Sequence, residues 1–86
     1  MLIRLKAIGA IAQIHPSVEE FPDTAEFAAV HLHILRKLNL PDNQPLWCYV
    51  GNAFVPPMDT KLAVLDGMSS SKDILTVTYS QVEAFG

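Results

Sequence analysis

From Leu2 to Ile8 the chain alternates, with Ile3, Leu5 and Ala7 on one side and Arg4 and Lys6 on the other. This is the period-2 pattern of a half-buried strand, and Gly9 ends it. A second strand is expected between Ile11 and Phe21, at an edge or a bulge, because Pro16 has no N–H to give to a ladder. The period then changes. Phe27, Val30, Ile34 and Leu38 recur at helical spacing, flanked by Ala28, His31 and Leu35, which makes an apolar stripe one helix face wide. Asp23 with Glu26 three residues on reads as a capping box, so the helix is expected over about Thr24 to Leu38. Arg36 and Lys37 suit the negative end of the helix dipole, Asn39 can take the left-handed closing position, and Pro41 forbids continuation.

Leu46 to Val50 is the most apolar strand candidate, and a place at or near the centre of a sheet is expected for it. Gly51-Asn52 reads as a turn leading to a short strand, which Val55-Pro56-Pro57 interrupts. Thr60 to Asp66 is expected as a short helix ending at Gly67, Met68 to Asp73 as a polar loop, and Ile74 to Tyr79 as a last strand rich in β-branched residues. The order is strand, strand, helix, strand, short strand, short helix, strand. Such an order predicts an α+β fold, a mixed sheet of four to five strands packed on one main helix. The last strand should lie between the first and third and run parallel to the first through a long crossover. Residues 1–79 form this domain and residues 80–86 a tail.

Composition narrows the classes of function. Half of the 86 residues are hydrophobic and only 17% are charged. A core this small cannot hide them all, and a contiguous exposed apolar patch would mark a partner surface. A net charge of −3 gives no basic field for nucleic acid or an anionic membrane. Cys48 is the only cysteine, so no internal disulfide forms, and neither a secretory signal nor an apolar run of about 18 residues is seen; a cytosolic protein without membrane insertion is expected.

Candidate chemistry is sparse. His31 and His33, two apart on a helix, point about 200° away from each other and cannot grip one ion, and His15 falls on another element. Cys48 lies inside an apolar strand, where an inert packing role is usual. No glycine-rich phosphate loop or close carboxylate pair is present, so neither an enzyme nor a bound cofactor is expected. Phe54, just after a turn, is either a plug for the core or an outward anchor in a patch with Asn52 and Tyr49. Gly86, the last residue, has no Cβ and accepts any backbone angle, so its carboxylate can thread a narrow catalytic channel that a branched residue would block.

The run from Tyr49 to Gly86 resembles the C-terminal half of the autophagy-related protein 12 family of ubiquitin-like modifiers. The shared order is an aromatic strand, Asn52, a small residue, Phe54, the pair Pro56-Pro57, a short helix, a final strand and the ending Ala84-Phe85-Gly86. The resemblance continues upstream through Lys6-Ala7-Ile8-Gly9, Pro16-Ser17-Val18 and Phe27. It implies a ubiquitin-like β-grasp fold. It also implies a protein activated at Gly86 by the E1-like autophagy protein 7, passed to the E2-like autophagy protein 10, and joined to a lysine of autophagy protein 5. The conjugate, with autophagy protein 16 and autophagy protein 3, would promote lipidation of the autophagy protein 8 modifier at the pre-autophagosomal structure. Asn52, Phe54, Tyr49 and Phe85 are the implied partner-binding residues. The alternatives are a binding module of the same fold that is never conjugated and a sulfur carrier, whose usual Gly-Gly ending is absent here. Trp47-Cys48-Tyr49-Val50 also matches the aromatic-x-x-aliphatic pattern of peptides that bind lipidated autophagy modifiers, although such motifs act in flexible segments. Where animal members carry Lys-Lys-Trp, this chain has Ser17-Val18-Glu19.

Overall fold

A computed structural model describes residues 1–41, 44–50, 55–66 and 74–82. Alternation makes β1 (Leu2–Ala7), with Ile3 and Leu5 buried and Leu2, Arg4 and Lys6 exposed. β2 (Val18–Glu20) follows a cis His15–Pro16 peptide and pairs antiparallel with β1, Ile3 opposite Glu19. β3 (Trp47–Val50) and β4 (Ile74–Ser80) complete a four-stranded sheet in the order β2-β1-β4-β3. The last strand lies between the first and third, as the pattern predicts. β1 and β4 run parallel in register from Leu2 opposite Ile74 to Ala7 opposite Tyr79, and β3 and β4 run antiparallel.

Two expectations are corrected. Among the described residues β3 is the outermost strand, paired with β4 alone, whereas a central or near-central place is expected from its apolar run; Cys48, Tyr49 and Val50 are buried on both faces of the strand. The short strand expected between the Gly51-Asn52 turn and Val55-Pro56-Pro57 falls on residues 51–54, which lie outside the described residues. The main helix α1 (Phe27–Leu38) starts later than the capping-box reading placed it.

The reason for the late start is visible in the hydrogen bonds. Glu26 is the N-cap and its side chain caps nothing. The orphan N–H groups of the first turn instead find main-chain carbonyls from the far side of the chain: Phe27 N–H donates to Thr60 O at 2.8 Å and Ala28 N–H to Met58 O at 2.9 Å. The second helix, α2 (Leu62–Asp66), is tied in return, with Leu62 N–H donating to Ala25 O at 2.9 Å and Ala63 N–H to Asp23 O at 3.1 Å. A Glu26–Lys61 bridge closes this pair of helix starts, and the two side chains approach to 3.8 Å in the open. At the other end Asn39 sits at φ 54°, ψ 44°, and Leu40 N–H donates back to Leu35 O, the left-handed close that the sequence predicts.

The core lies between α1 and one sheet face. Phe27, Val30 and Ile34 are fully buried against Ile3, Leu5, Leu75, Val77 and Tyr79, with Leu62 and Leu65 of α2 filling one end and Leu38 packing at the margin. Tyr79 is the polar exception. Its buried hydroxyl accepts from Ile14 N–H at 2.8 Å and donates to Ala12 O at 2.9 Å, so it fixes the long β1–β2 connection from inside the core. Gln13 holds the same connection from outside, accepting from Ala7 N–H and donating to Leu5 O.

Candidate functional site

The strand that precedes Phe85 and Gly86, the residues the sequence nominates for partner binding and attachment, is β4. It is flanked by β1 and β3, so its C-terminal end is positioned by ladders on both sides. Ser80, opposite Trp47, is 1% exposed, and its Oγ accepts from Val82 N–H at 3.1 Å. Gln81 Nε2 donates to Gln44 Oε1 at 2.5 Å, which ties the exit from the sheet to the loop after α1. By Val82 the chain is 67% exposed. Four residues remain, Glu83 to Gly86, a contour of about 13 Å at the usual reach per residue. Sequence reasoning missed Gln44 and Gln81, because two exposed amides 37 positions apart give no signal until the fold joins them.

Gly86, Phe85, Asn52 and Phe54 lie outside the described residues. Tyr49 is within them, and the expected outward patch is corrected at this residue. It is 2% exposed, on the sheet face opposite that of Cys48 and Val50, with Thr78 Oγ1 donating to its carbonyl at 3.5 Å. Its ring therefore does not stand in open solvent. Burial of Cys48, Tyr49 and Val50 also keeps Trp47-Cys48-Tyr49-Val50 as a paired strand in the fold.

Cys48 is 2% exposed, and loss of water around it pushes its thiol up to about 12 from 9.0. It stays a protonated thiol at neutral pH, which removes it as a nucleophile. The sign of the linked stability change follows directly. The unfolded thiol ionises from about pH 9 while the folded one does not, so stability is full below pH 9 and falls as pH rises from about 9 to about 12. At pH 10 the loss from this group is expected on the order of 1 kcal/mol. Urea titrations of the wild type and Cys48→Ala at pH 7 and 10 check it; equal pH slopes in both would refute the assignment. Tyr79, also raised by burial, adds a slope of the same sign to both chains.

His33 of α1 packs edge-on against Phe21, ring centroids 5.3 Å apart, and its buried Nε2 has no hydrogen-bond partner among the described residues. Among the described residues no three of His, Cys, Asp and Glu gather as a metal site, and no helix is long and apolar enough to cross a membrane.

A mixed sheet with the last strand parallel beside the first and one main helix packed across it defines the ubiquitin-like class. The crystal structure of Trypanosoma brucei ATG8 has this fold, with a TM-score of 0.83 over 100% of this chain and 76% of that one, at 18% sequence identity. The family model of the ubiquitin-like autophagy protein Apg12 matches residues 1–86, and the chain belongs to that family. Among curated relatives, ubiquitin-like protein ATG12 of Kluyveromyces lactis is 34% identical over 98% of this chain and 43% of its own length. The ATG12 protein of Pichia angusta is 33% identical over 98% and 48%. The chain thus spans less than half the length of these two relatives.

Proposed function

We propose that this chain is a modifier conjugated through Gly86 to a lysine of autophagy protein 5. The observation that carries the reading is family membership over the whole chain together with a sheet whose central β4 leads directly to the terminal segment. In the proposed sequence, the Gly86 carboxylate attacks the α-phosphate of ATP in autophagy protein 7, giving an acyl adenylate and pyrophosphate. A cysteine thiolate of that enzyme then displaces AMP to form a thioester, which passes to a thiol of autophagy protein 10. The acceptor lysine amine finally attacks the thioester carbonyl, forming the isopeptide bond and releasing the thiol. This chain supplies the carboxyl group and the surface that partners grip, and no catalysis. Asn52, Phe54 and Phe85 belong to that surface in this reading. The conjugate then acts with autophagy proteins 16 and 3 in attaching the autophagy protein 8 modifier to lipid.

Intact-mass analysis tests it: the chain is incubated with its cognate E1-like and E2-like enzymes, autophagy protein 5 and ATP. The expected product is autophagy protein 5 heavier by this chain minus one water. If the chain binds autophagy protein 5 but forms neither thioester nor isopeptide, a non-covalent module of the same complex replaces this reading.

A further inference from the structure

Beside the exit of β4, the last turns of α1 and the loop that follows enclose an open groove lined by Leu32, Leu35, Arg36, Leu40, Pro41 and Gln44. Three features set it apart from ordinary surface. Leu32 is 44% exposed, and it is off the buried stripe of Phe27, Val30 and Ile34, so it contributes little to the core. Leu35 and Leu40 are half-buried beside it, so three leucines share the groove with the polar side chains of Asn39 and Gln44. Arg36, with Lys37 next to it in the last turn, puts local positive charge on a chain whose net charge is −3.

The groove is also physically continuous with the base of the tail. Gln44, one of its lining residues, is the acceptor for Gln81 at 2.5 Å. Only the segment after Gln81 separates this contact from Gly86, five residues with a contour of about 17 Å. A protein that holds Gly86 in its active site therefore has that site within about 17 Å of Gln81, close enough for another part of it to reach the groove.

We propose that this groove is a docking site for the enzyme that activates Gly86, and that it accepts an aliphatic segment carrying acidic residues, with the aliphatic side chains against Leu32, Leu35 and Leu40 and a carboxylate on Arg36. This rests on the Gly86 reading of function. The contact is made before and during adenylation and is remote from the bonds that change, so its energy goes into binding the modifier and not into the chemical step. The tail alone gives an enzyme few contacts to select by; a second contact on the folded domain supplies the selectivity.

The test uses the full chain carrying Leu32→Ser together with Arg36→Glu, two exposed positions outside the core, with the cognate activating enzyme and ATP–pyrophosphate exchange as the readout. The expected result is a KM for the modifier raised about tenfold or more with kcat unchanged, since truncating contacts at an interface centre commonly costs that much. Arg36→Lys should retain most of the affinity, and the wild-type KM should rise with salt more steeply than that of the double variant. Thermal midpoints of both chains, measured alongside, show that the variant is folded. A wild-type KM in the folded double variant overturns the docking site and leaves the Gly86 reading standing. No exchange with the wild-type chain overturns the Gly86 reading, and the docking site with it.

Discussion

Phe27→Ala is expected to destabilise the domain by about 3 to 5 kcal/mol, the usual cost of deleting a fully buried phenylalanine and leaving its cavity. Phe27 has no exposed surface, begins the helix, and faces both the sheet and α2. The helix start cannot readily shift into the space, because the main chain of Phe27 is held by Thr60. An 86-residue domain has only about 4 to 13 kcal/mol to lose, so a large part of the stability should disappear. Urea unfolding of the wild type and variant measures it, with Leu32→Ala as a surface control expected within about 0.5 kcal/mol. A Phe27→Ala midpoint equal to that of the control would show that the core is built elsewhere.

Deletion of Gly86 is expected to abolish the covalent product with autophagy protein 5 while leaving unfolding unchanged. The deleted chain ends at Phe85, which still carries a carboxylate, so a loss of product reports the shorter reach and the side chain at the reacting position together and not the mere absence of an acid. Val82 is already two-thirds exposed, and the sheet contacts end at Ser80, so the fold has little to lose from a shortened terminus. Mass spectrometry of the conjugation mixture and a urea curve read the two halves separately. A product of full yield from the shortened chain would mean that the enzymes take a different carboxyl group, and the Gly86 assignment would fall.

Much of this architecture is legible in the amino-acid sequence, and the reason is periodicity. Ile3 and Leu5 alternate with charges, and Phe27, Val30 and Ile34 repeat at helical spacing; each set is buried where its period says. What is lost is whatever depends on contacts distant in sequence. The capping-box reading of Asp23 and Glu26 fails because main-chain carbonyls at Met58 and Thr60 take the N–H groups first, and no local motif encodes that arrangement. β3 reads as central because three successive buried residues show that both faces of a strand are covered, and that says nothing of whether its edges are paired. The same ambiguity hides Tyr49: an aromatic in a strand next to a turn gives no sign of which face will be covered. The site is less legible than the fold. Gly86 and Phe54 stand out by chemistry and by family resemblance, whereas the Gln44–Gln81 contact and the groove beside it exist only once α1 and β4 end side by side.

The parallel pairing of β1 with β4 has a mechanical consequence. A modifier fixed to another protein through its last residue is pulled at the end of β4, and anything holding the start of the chain pulls at the beginning of β1. Because the two strands run in the same direction, such a load slides them lengthwise past each other, and the ladder from Leu2–Ile74 to Ala7–Tyr79 bears it all at once instead of opening one rung at a time. The interlocked Tyr79 side chain, gripping Ala12 and Ile14 from within, resists the same slide. A covalent tether at the last residue would therefore load this pairing in shear, across all its rungs together.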